Sequence, residues 1–433
     1  MFNKVLLTFS TRIVTALLSV VNVLIGTNYL GVEGYGTVSL IILGITIYLM
    51  IQNLLTGSSI VYFISKFKVS SIVIISYAWV LVSVLAFSSL VFGFHMLSER
   101  FHWNFEIVPM EYAWHNILLA LGFGLMNIHL NILLGRERIK AFNFIFFIQH
   151  VLATAFLVIY YVIMGKQEVF YYLVAYYFSY FLSYLISFAL TYNYFNSMTM
   201  PSWFEFKSMF RYGVLGQSAN VLQLINYRLS YYLIDAFVGR AFLGVFSAAT
   251  QISEGLWILS KSIATVQFAR ISNSTDLEYA RKLSLKLLKF TVTITAFPLL
   301  FLMLVPKDFY QFLLGDEFNS VRLLIRLMAL GTISLTASQI LSHYFSGTGR
   351  IGKNTLGSGV GVFATVILGF SLIPFFGLKA AALVSSISYF TSMTYLLIQL
   401  NKEGKLKLKD FLISRSDIVD SYRLLMKQRP NSQ

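Results

Sequence analysis

Apolar residues along this chain come in long blocks separated by short polar punctuation, and the blocks recur from end to end. Val5 to Gly26 is one such block and Phe242 to Phe268 is another. As a helix, a block of about 20 apolar residues crosses the ~30 Å hydrocarbon core of a bilayer. Strands of a membrane barrel would instead alternate over about 10 residues, and that alternation is missing here. The pattern predicts an all-α polytopic membrane protein with twelve spans, numbered 1 to 12: 4–29, 36–64, 71–97, 113–134, 142–164, 169–194, 208–237, 241–268, 285–305, 319–346, 353–374 and 378–400. The connections are too short for a soluble domain. The first block lacks a small-residue cleavage site behind a short apolar core, so it reads as a retained helix.

Composition agrees with this pattern. Of 433 residues, 57% are hydrophobic and 12% charged, about half the charged fraction of a soluble domain. There is no cysteine, which excludes disulfides and says nothing more about compartment. The net charge of +15 acquires meaning from its distribution. Counted by loop, 23 Lys and Arg fall on the side that carries both ends of the chain and 5 on the other. That bias places both termini in the cytoplasm, as an even number of spans requires. Nucleic-acid binding would need a soluble basic domain, and none is present.

The second half echoes the first. YLGVEGYGTVS (29–39) follows span 1 and FVGRAFLGVFS (237–247) follows span 7, so Gly31 and Gly36 fall on Gly239 and Gly244 at an offset of 208. GRERIKAFN follows span 4 and GTGRIGKNT follows span 10. Gly135, Arg138 and Ile139 thereby fall on Gly347, Arg350 and Ile351 at an offset of 212, and Gly165 falls on Gly377 at the same offset. A six-span repeat returns the chain to its starting side, so the halves are parallel repeats about a pseudo-two-fold along the membrane normal. The expected organisation is an N-lobe of spans 1–6 (1–195), a cytoplasmic linker (196–207) centred on Pro201, a C-lobe of spans 7–12 (208–401) and a basic tail (402–433). The tail mixes lysines and arginines with Leu406, Phe411 and Leu412, which suits an amphipathic helix on anionic lipid. Two facing lobes enclose a central cleft suited to alternating access.

Charges inside the spans stand out, because each costs about 2.5–3.5 kcal/mol at mid-bilayer on insertion scales. They are Arg12 in span 1, Arg228 in span 7, Glu254 and Lys261 in span 8, and Arg322 and Arg326 at the start of span 10. The last two lie close enough to the external interface to snorkel. Arg228 and Glu254 lie deeper and are expected to face the cleft, with a direct interhelical ion pair between them as the alternative. Gln251, Glu254 and Lys261 share one helix face. Gln251 and the span histidines His129, His150 and His343 are candidate polar groups of the cleft, although a histidine in a span is more often a packed core group. With Arg12, Arg228 and Lys261 set against Glu254, the cleft leans cationic, and arginine forks suit phosphate. Tyr227, Tyr231 and Tyr232 beside Arg228 are candidates to stack on sugar rings.

Several other classes fail. GTGRIG (347–352) fits a dinucleotide pattern literally but follows a membrane helix rather than a strand. No Walker A sequence, metal-ligand cluster or nucleophilic triad is present. A membrane glycosyltransferase or polymerase usually needs paired carboxylates in an external loop. The first such loop has only Glu33, and the second spreads out Glu99, Glu106 and Glu111. No enzyme activity and no cofactor are therefore expected.

The twelve spans in two halves, YLGVEGYGTVS after span 1, LGVFSAATQISE in span 8 and LLGDEFNSVRLLIRLMAL leading into span 10 together resemble the polysaccharide-unit flippases. These O-antigen, capsule and exopolysaccharide transporters belong to the multidrug/oligosaccharidyl-lipid/polysaccharide exporter superfamily. The resemblance implies a bacterial inner-membrane protein, expected as a monomer, that moves an undecaprenyl-diphosphate-linked oligosaccharide from the inner to the outer leaflet. It leaves open whether the protein works beside a polysaccharide polymerase. It implies that Arg12, Arg228 and Lys261 are head-group ligands and that Glu254 binds a coupling proton or sodium ion. Cation-coupled drug exporters of the same superfamily are the alternative, but they usually carry acidic lobes, and span 1 here has Arg12 and no acid. Lipid II flippases, another relative, generally add two further spans.

Overall fold

The computed structural model describes residues 2–102, 105–195, 199–272 and 276–404. Among these every regular element is helical. Eight helices are long and apolar enough to cross a membrane. Two of them are double. Phe2–Thr56 contains spans 1 and 2, joined at Gly31 (φ 65°), and Ile351–Lys402 contains spans 11 and 12, joined at Gly377 (φ 58°). A left-handed residue cannot continue a right-handed helix, and glycine takes that conformation without a Cβ clash. Span 7 (Trp203–Phe237) carries many polar residues, and span 8 is broken into two 16-residue helices (Arg240–Gly255 and Trp257–Ser272), each short of a full crossing; together they complete the twelve.

Two local features depart from the sequence reading. Span 8 is two helices meeting at Leu256 rather than one. A short amphipathic helix, Lys307–Leu314, precedes span 10 where a plain loop was expected. The amphipathic tail expected over 402–433 lies outside the described residues beyond Gly404.

The repeat is visible in the backbone itself. Eight described residues have left-handed φ, and they form four pairs: Gly31 with Gly239, His102 with Gly315, Glu137 with Gly349, and Gly165 with Gly377. Each pair occupies the same corner of the two lobes. Side chains repeat as well. In the N-lobe, Thr154 donates to buried Asn22 at 2.7 Å; in the C-lobe, Thr365 donates to buried Asn226 at 2.8 Å. Each asparagine ties the first span of its lobe to the fifth, which satisfies amide groups that lipid cannot. Arg138 donates to the Leu190 carbonyl at the end of span 6 (3.0 Å), and its counterpart Arg350 pairs with Glu403 at the end of span 12. The Gly-x-x-Arg match in the sequence therefore marks a shared job, which is holding the last helix of each lobe.

Each lobe has its own apolar core, around Tyr48, Phe87 and Leu130 in the first and around Leu283, Ile340 and Tyr344 in the second. A third core bridges the lobes, with Tyr35 and Leu40 of span 2 against Phe246 and Ala249 of span 8. The linker ends in a capping box at Ser202 and Glu205, which starts span 7.

Candidate functional site

The interlobe seam is built first by small residues. A Cβ on Gly36 would lie 2.2 Å from the Arg240 carbonyl oxygen, and one on Gly244 would lie 1.9 Å from that of Val32. Gly36 and Gly244 are repeat partners, and so are Val32 and Arg240, so the two contacts are reciprocal. Ser39 and Ser247, partners in turn, meet at 2.7 Å between their hydroxyls. Only residues beside a two-fold axis can touch their own equivalents, so the axis runs through this serine pair. Bulkier residues would hold spans 2 and 8 apart.

Around the axis, the face opposite the chain ends is sealed. Glu106, between spans 3 and 4, accepts from Arg240 across the lobes at 3.2 Å, and Asp235 holds the same guanidinium at 3.0 Å. Glu317, between spans 9 and 10, accepts from the Val32 backbone N–H at 3.2 Å. The two carboxylates occupy matching loops and reach matching corners, so the seal is a doubled latch. Asn28 donates to the Leu313 carbonyl (2.5 Å) and Tyr232 to that of Ile107 (3.0 Å).

Below the seal, Arg228 and Glu254 form a bidentate pair, Nη1 to Oε1 at 2.7 Å and Nη2 to Oε2 at 2.8 Å. Arg228 Nη1 also donates to the Tyr231 hydroxyl at 3.0 Å. Arg228 sits about 15 Å along its helix from the corner at Val238, near mid-bilayer depth. The sequence reading gave these residues separate roles, with direct pairing as the alternative. The structure pairs them, because two opposite charges on adjacent helices in a low-dielectric medium cost far less together than apart. The fork of Arg228 is thus turned to Glu254. Tyr227, Trp257 and Tyr389 wall the neighbourhood, with ring centroids 5.3–6.4 Å apart.

The remaining predicted residues scatter. Arg12 lies with its guanidinium 4.0 Å from the centre of the Phe146 ring. His150, one turn along from Phe146 on span 5, shares a hydrogen bond with the Phe146 carbonyl (2.9 Å). Lys261 is exposed, its ammonium 5.8 Å from the Trp257 ring. Gln251 donates to the Tyr35 hydroxyl at 2.7 Å and so helps close the seam. His343 bonds within its own helix, to the Gln339 carbonyl. His129 corrects the sequence reading: it is fully buried in the N-lobe between Tyr77 (2.6 Å) and Thr191 (2.7 Å), away from the space between the lobes. A ring with two good partners gains more from that enclosure than from a wet cleft. Arg322 and Arg326 both reach the Met303 carbonyl, capping the end of span 9. Tyr232, a candidate for sugar stacking, stacks on Phe105 instead.

Sequence reasoning missed one polar feature. Within the C-lobe, Asn226, Ser338, Gln339, Ser342, Asn354 and Ser392 surround a cavity of about 20 Å³, room for about one water. The hydroxyls of Ser338 and Ser392 have no protein partner there. The spacing of Ser338, Gln339 and Ser342 on one face of span 10 was the available signal. Among the described residues no cluster of His, Cys, Asp or Glu could hold a metal ion.

No protein-family model and no curated protein matches this sequence. Solved structures match by shape. A lipid II flippase, MurJ, in an inward closed conformation superposes with a TM-score of 0.72 at 14% identity, covering 100% of this chain and 94% of that one. An inward-facing multidrug resistance MATE family transporter of the MOP superfamily gives 0.69 at 15% identity, covering 92% and 98%. An outward-facing MATE family transporter gives 0.58 at 16% identity, covering 92% and 97%. At such identities the likeness establishes the fold, two six-helix lobes of the kind seen in MOP-superfamily transporters.

Proposed function

We propose that this chain is a flippase that carries an undecaprenyl-diphosphate-linked oligosaccharide from the inner to the outer leaflet of a bacterial cytoplasmic membrane, with both termini in the cytoplasm. The observation that carries this reading is the charge balance along spans 1, 7 and 8. Glu254 is paired with Arg228, and the sequence sets three basic residues, Arg12, Arg228 and Lys261, against that one acid; in this reading Arg12 and Lys261 face the space between the lobes and give it a positive balance. Such a space attracts a phosphate-bearing head group and repels a lipophilic cation. The shape neighbours are compatible with the reading, since they include a lipid II flippase beside multidrug transporters.

In this mechanism residues 1–195 and 208–401, joined by the linker 196–207, rock as bodies and part at the Ser39–Ser247 contact when the sealed face opens. The opposite face is sealed in the state described, so the head group is taken up from the cytoplasmic side while its lipid tail stays in the bilayer. Arg12 and Lys261 meet the diphosphate. Glu254 is the coupling group: a proton or sodium ion on its carboxylate releases Arg228 toward phosphate, and loss of that ion restores the pair. The tail 402–433 rests on anionic lipid. No bond of the cargo is made or broken, so no enzymatic residue is needed.

The test is leaflet translocation in proteoliposomes, comparing an undecaprenyl-diphosphate oligosaccharide with a lipophilic cationic dye. Movement of the sugar lipid, abolished in the double variant Arg12→Ala/Lys261→Ala, is the expected result. Ion-driven movement of the dye alone would replace this reading with that of a drug exporter.

A further inference from the structure

A second polar site lies away from the interlobe space, on the terminal face. There the corner between spans 2 and 3 meets the end of the linker and encloses an open groove of about 620 Å³. Lys66 and Lys68 supply two ammonium groups, and Ser71, Thr199 and Ser202 supply hydroxyls. The one carboxylate in the lining, Glu205, is already engaged: it accepts from the Ser202 backbone N–H at 2.7 Å and from its hydroxyl at 3.2 Å. Two ammonium groups against this one carboxylate leave the groove with a net positive charge.

It is also a constructed feature. Ser70 and Ser71, both buried, bond to Thr199 at 2.8 Å and 3.3 Å and so dock the linker onto the first turn of span 3. Lys66 is held with its ammonium 3.6 Å from the Tyr62 ring centre, which fixes its direction. The groove sits where span 3 starts at Val69 and span 7 at Trp203, and the ends of apolar spans are where lipid head groups are expected. Apolar side chains complete it. Phe67, Phe204 and Met200 line it, and Met200 and Phe204 are 89% and 72% exposed. A soluble phosphate would have no use for that apolar lining, whereas acyl chains would cover it.

We infer that this groove is a binding site for an anionic phospholipid of the bilayer, its phosphate held by Lys66, Lys68 and the hydroxyls and its acyl chains lying on Met200, Phe67 and Phe204. The site is separate from the transported cargo and its residues are not those of the interlobe space. An occupying lipid joins the linker to span 3. It thereby steadies the start of span 7, which packs on span 2 through Tyr62 and Tyr212, rings stacked at 4.5 Å.

The test is native mass spectrometry of the full chain in detergent, titrated with phosphatidylglycerol or with phosphatidylcholine. The wild type is expected to retain phosphatidylglycerol preferentially, and Lys66→Gln/Lys68→Gln to bind it about 30-fold more weakly, from two lysine–lipid attractions. A control pair on the same face, Lys286→Gln/Lys289→Gln, is expected to leave binding within about two-fold, since it lies outside the groove. Equal weakening in both pairs, or none in the groove pair, would overturn the site. Inorganic phosphate that displaces the lipid at millimolar concentration would overturn its assignment to a lipid. Should the double variant not fold, Lys68→Gln alone carries the same comparison with an expected loss of about five-fold.

Discussion

At the scale of single residues, the two groups that matter most are a pair. Arg228 and Glu254 each carry a charge that lipid rejects, and each cancels the other's cost. Removing one partner leaves an uncompensated charge at depth, so Glu254→Gln and Arg228→Met should each lower stability by about 3 kcal/mol, and the double variant by much less. Unfolding in detergent across the four proteins measures this coupling; additive losses would mean that the contact contributes little. Glu137 is a different case. It holds a left-handed conformation (φ 55°) where its repeat partner is Gly349. Glu137→Gly should therefore stabilise the protein by about 1 kcal/mol, read from the same unfolding curves. Glu403 sets a pH dependence outside the spans. Burial alone would raise its carboxyl, but hydrogen bonds from Lys353, Tyr344 and Arg350 outweigh burial and hold it below its ordinary 4.5. A depressed acid contributes its stability above the ordinary pKa and loses it as pH falls through the lowered one. Wild-type protein should accordingly lose about 1 kcal/mol more than Glu403→Gln between neutral pH and the lowered value, a modest figure because the group is partly screened by solvent.

At the scale of elements, spans 2 and 8 decide how the lobes meet. Their crossing tolerates no side chain at Gly36 or Gly244, because a Cβ at either would collide with a backbone carbonyl that has no freedom to move aside. Gly244→Ala should part the two helices and loosen the latches of Glu106 and Glu317 nearby. The chain has no cysteine, so a single Ser39→Cys is a unique reporter. Its labelling from the opposite face should rise at least several-fold when Gly244→Ala is added, and unchanged labelling would show that the crossing absorbs the methyl group. Glycine here acts through absence of bulk, a different use from that at Gly31 and Gly377, where it turns the chain.

At the scale of the whole molecule, the pseudo-two-fold converts a sequence repeat into a seam between the lobes. Ser39 and Ser247 sit on the axis with their hydroxyls 2.7 Å apart, so cysteines at both positions should oxidise to a disulfide spanning the lobes. If the lobes must part on this face during transport, that crosslink should stop translocation and a reductant should restore it. Full transport by the oxidised protein would mean that the seam never opens. The charge of the molecule follows the same axis. Both lobes carry their basic corners on the terminal face, where the groove of Lys66 and Lys68 and the Arg350–Glu403 cluster also lie.

The sequence by itself determined the number of spans, the repeat and its offsets, and which charges lie at depth, because hydrophobic block length, glycine placement and charge cost are local properties that a linear reading detects. It even marked Gly36, Gly244 and Arg350 without knowing what they touch. Which charge meets which, whether His129 faces a cleft or a core, and that two serines share an axis were left to the tertiary structure. Those outcomes depend on helix rotation and on contacts between residues some 26 to 208 positions apart. Rotation of an apolar helix leaves little trace in its own composition, since lipid and protein interior both reward the same side chains.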